Sequence, residues 1–123
     1  MRKEKIRMGR NRGGGFVWEY KGRLIHLYGS EIYYLHSEQR KIFIHTAKRV
    51  YEVGGKLDDE EEFLKELPIV RTHYSYLVHI RHLDEVEGNE VVLKNGERIP
   101  ISEGRRKQVY DTILSCISRK TVK

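Results

Sequence analysis

LDEVEGNEVVLKNGERIPI, residues 83–101, reads as three short strands separated by two turns. Leu83–Glu87 and Glu90–Lys94 flank Gly88-Asn89, and Glu97–Ile101 follows Asn95-Gly96. Asn-Gly between apolar runs is the strongest short-range hairpin signal, because a type I′ turn needs positive φ at both central positions. The same grammar extends upstream. Phe16, Trp18 and Tyr20 alternate with Val17 and Glu19, the period of a half-buried strand. Lys21-Gly22 then separates that run from Arg23–Tyr28, a second hairpin. Glu31–Leu35, Lys41–Thr46, Arg49–Val53 and Ser75–Ile80 are rich in residues that pack well on a pleated surface.

Two segments break the β pattern. Asp58 is a candidate N-cap with Glu61 three residues later, an approximate capping box. Acidic residues there suit the positive end of a helix dipole. Leu57, Phe63, Leu64 and Leu67 supply an apolar side, and Pro68 limits continuation. A short helix near 58–67 is expected, with Asp58–Glu62 as its solvated face rather than a metal or acid/base cluster. Ser102 is a candidate cap for a second helix near 103–118, where Val109, Ile113 and Ile117 line one side beside Tyr110 and Leu114. The fold class read from this pattern is mainly β, with short antiparallel strands joined by tight turns.

The 123 residues suit one domain, long enough to bury a core without staples. Met1–Gly15 is charged, aperiodic and ends in three glycines; it reads as a flexible basic tail or linker. Residues 16–118 are then the domain and 119–123 a C-terminal tail. Cys116 is the single cysteine, which excludes an intrachain disulfide and suits a reducing cytosol. No apolar h-region follows the basic N-terminus, and no run approaches the roughly 20 apolar residues of a membrane span. A cytoplasmic location is expected.

The formal charge of +6 invites a nucleic-acid partner. Six bases against Glu4 in Met1–Arg12 account for most of it, so the rest is nearly neutral. Its charges are nevertheless segregated, with bases at Arg40-Lys41, Lys48-Arg49, Arg105-Arg106-Lys107 and Arg119-Lys120. Segregation permits a basic face at low net charge. Enzyme signatures are missing: there is no nucleophile elbow, no P-loop and no zincin motif. His79 and His82, with His73 nearby, are a poor zinc set. No catalysis, metal or cofactor is expected.

Residues 71–78, RTHYSYLV, resemble the signature of LytTR DNA-binding domains. So do three more segments, in the family's order: EIYYL at 31–35, the short acidic helix ending at Leu67, and VVLKNGERIPIS at 91–102. The resemblance runs from about Phe16 to Ile117. Two positions depart from the pattern: His79 stands where the family usually has Asn, and Glu103 stands where many members have an Arg that reads a base. The resemblance implies a β sandwich whose loops enter two successive major grooves and the intervening minor groove of double-stranded DNA, usually bending it. It implies the output domain of a two-component response regulator or a stand-alone regulator. It also implies tandem direct repeats as target, an upstream receiver domain, and a monomer or weak dimer that is dimeric on DNA.

Three groups of candidate DNA-binding residues follow. In the loop between the strands at 31–35 and 41–46, Arg40 matches a base-reading position. A guanidinium can bond guanine O6 and N7 together. Ser37, Gln39 and Lys41 suit phosphates, which position without reading sequence. Taken without the resemblance, Arg40 is a hairpin-tip charge. His73, Tyr74 and Ser75 form the second group, with Tyr74 matching a DNA-contacting position and His73 leaning to a structural role. Ser102, Glu103, Arg105, Arg106 and Lys107 form the third, where a helix start and its bases favour a phosphate. The alternative is an RNA-binding or protein-interaction β module using Phe16, Trp18, Tyr33 and Tyr34 as a stacking surface.

Overall fold

The computed structural model describes the backbone of Ile6–Arg7 and residues 15–117. Alternation carries through most of the chain into strands: β1 (Ile6–Arg7), β2 (Gly15–Tyr20), β3 (Arg23–Tyr28), β4 (Tyr34–Glu38), β5 (Lys41–His45) and β6 (Val50–Gly54). Helix α1 (Leu57–Phe63) follows, then β7 (Ile69–His73), β8 (Tyr76–His79), β9 (Leu83–Glu87), β10 (Glu90–Leu93), β11 (Arg98–Pro100) and α2 (Arg106–Cys116). The chain is mainly β, as its pattern predicts.

The strands form three antiparallel sheets, ordered β1-β2-β3, β6-β5-β4-β8-β7 and β11-β10-β9. The five-stranded sheet lies in the middle. Its pleat sends alternate residues to opposite faces: Tyr34 faces Val78 across the β4–β8 pair, and the next rung is Leu35 with Leu77. Leu35, Leu77, Ile42 and Ile44 pack with Phe16, Trp18, Ile25 and Leu27 of the first sheet and with Leu57 and Leu64 around α1. On the other face Tyr34, Val70 and Val78 pack with Val91, Leu93 and Ile99 of the third sheet and with Val109 and Ile113 of α2. Two apolar cores thus clamp one sheet from both sides.

Several local expectations are corrected. Strand β4 starts at Tyr34; residues Gly29–Glu31 form a 3-10 turn instead, and Ile32 is fully buried beside it. The N-cap of α1 is Lys56 and has no side-chain cap, so Asp58 lies inside the helix. Its carboxylate is engaged elsewhere, as described below. The solvated face expected for Asp58–Glu62 is interrupted by Glu60, which is fully buried and accepts a 2.9 Å bond from Trp18 Nε1. Helix α1 ends at Phe63 rather than at Leu67. Ser102 opens a 3-10 turn, Glu103–Arg105, without a side-chain bond, and α2 begins only at Arg106. Ile117 is extended and half-exposed rather than on the buried line. Strand β7 has no counterpart in the sequence reading.

Turn types also differ. Of Asn95-Gly96, only Gly96 has positive φ. Gly96 N–H bonds Leu93 O and Leu93 N–H bonds Glu97 O, which makes a three-residue loop closed by a glycine bulge. Positive φ at both central positions occurs at Lys21-Gly22 and at Gln39-Arg40. Of the expected tail, Ile6–Arg7 pair with β2 opposite Glu19 and Trp18, and Gly15 opens β2. The remainder of 1–14 and residues 118–123 lie outside the described residues.

Candidate nucleic-acid interface

The end of β4, the end of β7 and the start of β8 lie at one end of the central sheet, because all three belong to antiparallel pairs. Backbone bonds lock the adjoining loops together there. Ser37 N–H donates to Ser75 O at 3.0 Å, and Ser102 N–H donates to Thr72 O at 2.8 Å. The Tyr74–Ser75 turn therefore sits between the Gln39-Arg40 turn and the approach to α2. All three groups of candidate residues are gathered at this end.

Gln39 and Arg40 close the β4–β5 hairpin, with Glu38 paired to Lys41. Their φ angles are 52° and 68°. A left-handed backbone costs a residue with a Cβ roughly 1–2 kcal/mol. Asn-Gly is the pair this turn favours, yet the chain carries two long polar side chains at its exposed tip. Local strain at an exposed, charged tip is a mark of function when the surrounding ladder enforces it. Replacing the pair, Gln39→Asn with Arg40→Gly, is expected to raise unfolding stability by about 1–2 kcal/mol. A denaturant midpoint that fails to rise would show that the turn is unstrained.

The turn borders an open groove of about 530 Å³, lined by Ser37, Gln39, Arg40, Lys56, Tyr74 and Ser75 among others. Tyr74 is 73% exposed, unusual for so large an apolar ring. Its presentation depends on Arg71. That guanidinium is nearly buried and makes four bonds: to Asp58 Oδ1 (2.9 Å), Glu61 Oε1 (2.8 Å), His73 O (3.0 Å) and Tyr74 O (2.6 Å). A planar five-donor fork suits this task where lysine would not. Arg71 joins the acidic helix to the carbonyls of the exposed turn. The apparent capping pair of α1, Asp58 and Glu61, is thus the clamp on Arg71.

His73 takes a structural position: its Nδ1 accepts the Ser75 N–H at 3.0 Å, and its ring meets Tyr76 edge-on. Of the third group, Arg106 is committed. It bonds Gly88 O, Asn89 Oδ1 and Tyr110 OH and stacks over the Tyr110 ring. Lys107 extends into solvent beside Asp111 at 2.9 Å; that bond raises the ammonium's affinity for its proton. Arg105 and Arg40 have no side-chain bond to other described residues, so both guanidinium forks are available. Glu103 is exposed in the 3-10 turn.

Two further residues belong to this region that sequence reasoning did not single out: Arg71, whose partners are distant in sequence, and Lys56, which lines the groove. The departure at His79 is a core substitution. Its ring is buried, bonds Ile32 O through Nδ1 at 2.8 Å and is held neutral chiefly by burial. His82 bonds Ser30 O and stacks on Tyr33. Both histidines therefore fasten the Gly29–Tyr33 segment, and the described residues contain no cluster of three metal-ligating side chains. No described helix is long and apolar enough to cross a membrane.

A family model for the LytTr DNA-binding domain matches residues 22–113. Among curated proteins, the sensory transduction protein LytT of Enterococcus faecalis (strain ATCC 700802 / V583) is 28% identical over 88 residues. That alignment covers 68% of this chain and 36% of LytT, so the chain spans about a third of that relative's length. Among solved structures, the LytTr DNA-binding domain described for a methyl-accepting/DNA response regulator from Bacillus cereus superposes with a TM-score of 0.71. It is 19% identical, over 82% of this chain and 97% of that one, and shares the fold.

Proposed function

The chain belongs to the LytTr DNA-binding domain family, and from that premise we propose that it binds specific double-stranded DNA through loops at one end of the central sheet, to regulate transcription. The observation that carries this is the pair of backbone bonds, Ser37 to Ser75 and Thr72 to Ser102, which gather three loops into one row. In this reading Arg40 enters one major groove and Arg105 the next, while Tyr74 and Ser75 approach the backbone between them. Grooves one turn apart set a footprint of roughly 10 bp per domain. Ser37, Gln39, Lys41, Ser102 and Lys107 contact phosphates, and Glu103 lies beside them. Arg106 and His73 shape the loops rather than touch DNA. The domain is non-catalytic and acts as the output of a response regulator whose receiver precedes it, or alone. On tandem direct repeats two copies sit side by side, and a phosphorylated receiver raises their effective concentration.

Stacking on single-stranded RNA has less to draw on. Of the rings that reading needs on a sheet surface, Phe16, Trp18 and Tyr34 are at most 6% exposed, and the half-buried Tyr33 is stacked on His82.

Selection of bound duplexes from a random pool tests the proposal. The expected product is two short elements spaced near one helical turn; an unstructured or single-element motif would refute it. On the selected duplex, Arg40→Ala is expected to reduce discrimination against a scrambled sequence by about 10- to 100-fold, the worth of one bidentate guanine contact. Lys107→Ala should weaken both duplexes alike. Equal losses on both for Arg40→Ala would remove it from base reading.

A further inference from the structure

The groove between the Gln39-Arg40 turn and the Tyr74–Ser75 turn has a third wall, made by Gly55 and Lys56, which link β6 to α1, and by Leu57 and Asp58 at the start of α1. The backbone is built to bring this wall close. Gly55 has φ of 131°, a conformation open to glycine alone, and its N–H donates to Arg40 O at 3.2 Å. At Gly54 a Cβ would lie 2.9 Å from the Tyr20 ring, so a side chain here would push that ring aside. Two glycines in sequence thus draw Lys56 against the candidate base-reading turn. Lys56 is exposed, extended, and forms no salt bridge with the described residues.

The charges of the lining decide what Lys56 does. Arg71 is taken up by Asp58 and Glu61. Arg40 is given to base reading in the DNA-binding proposal, and Glu38 lies 3.6 Å from His36 Nε2 rather than on Arg40. Lys56 is the remaining cation of the lining, and without it the groove is neutral. Each phosphate neutralised by a lysine releases condensed counterions, so a cation here adds affinity for any duplex. Resting on the DNA-binding reading above, we infer that Lys56 binds the DNA phosphate adjoining the base pair read by Arg40, a backbone contact from a fourth loop. It holds the duplex against the strained turn and carries no sequence information of its own.

The test is the salt dependence of duplex affinity, followed by fluorescence anisotropy on the selected and a scrambled duplex. The full chain is compared with Lys56→Gln, Lys56→Arg and Arg81→Gln. Arg81 is an exposed cation in the 3-10 turn beyond the far end of β8. Lys56→Gln is expected to weaken both duplexes equally, by roughly three- to tenfold near physiological salt, and to flatten the slope of log K against log salt by about 0.9. Lys56→Arg should restore the slope, and Arg81→Gln should leave both affinities as they are. Denaturation midpoints equal to that of the unaltered chain exclude misfolding as the cause. A Lys56→Gln slope equal to that of the unaltered chain, while Arg40→Ala still loses discrimination, overturns this inference alone. An unaltered chain that prefers single-stranded RNA, or binds no duplex, overturns the parent reading with it.

Discussion

Trp18→Ala is expected to remove most of the domain's stability and, through it, the order of the DNA-facing turn. Trp18 is fully buried, with its ring edge-on to Phe63 at 5.5 Å and tilted against Phe16. Truncating a buried aromatic costs about 3–5 kcal/mol in lost transfer energy and residual cavity. Removing the Nε1 donor from the buried Glu60 adds roughly 1–3 kcal/mol. Against a typical total of about 5–15 kcal/mol, the variant should be partly unfolded at room temperature. Denaturant titration reads this as a large drop in midpoint at constant slope. Trp18→Phe separates the two contributions, because it keeps most of the packing and loses only the donor. It should cost about 1–3 kcal/mol; no loss would show that the Glu60 bond contributes nothing. The consequence reaches the interface because Glu60 and the Arg71 partners share α1. Tilting that helix slackens Asp58 and Glu61, then Arg71, then the Tyr74 carbonyl it holds.

That chain of contacts also marks what sequence reading could reach. Strands with strong alternation, such as β2 and β5, are visible because burial follows a period of two. Strand β7 is not: Arg71, Thr72 and His73 are polar, Pro68 precedes them, and the strand exists because it pairs with β8 along one edge. The Gln39-Arg40 turn breaks the local rule that Asn95-Gly96 obeys in composition, so its positive φ angles become visible only once the ladder on either side is formed. Arg71 has a basic side chain like any other in sequence; its role depends on carboxylates ten and thirteen residues away. Glu60 lies in a run of acids that reads as solvated, and only the position of Trp18 shows that one member turns inward. The family pattern placed the three loops in order. It includes Arg71 only as the first residue of its signature segment, without its role, and it did not single out Lys56 or distinguish the committed Arg106 from Arg105.

Mild acid should destabilise the domain through two imidazoles that burial holds neutral. His45 lies against Tyr34 at 4.0 Å, with its Nε2 2.9 Å from His36 Nδ1. Burial, then repulsion from His36, lowers its pKa from 6.5 to about 4, against a smaller opposing pull from Glu97. His79 is shifted the same way, first by burial and then by His82 and Arg81, against the opposing bond to Ile32 O. Both imidazoles are neutral in the folded chain where the unfolded chain would protonate them. Unfolding therefore takes up protons as pH falls below about 6.5, and stability falls with it until the folded His45 itself titrates near pH 4. A displacement of this size is worth about 3 kcal/mol for full burial, and the part-exposed His45 ring keeps roughly 2 kcal/mol of it. About a pH unit above 6.5 the contribution is complete and flat. Denaturant midpoints at pH 8.5, 7.5 and 5.5 are expected to be level between the first two and lower at the third. His45→Phe preserves the stack on Tyr34 and removes the titrating group, so it should flatten much of the decline, leaving the share due to His79. A decline unchanged in His45→Phe would assign the acid sensitivity to His79 or to groups outside this aromatic row.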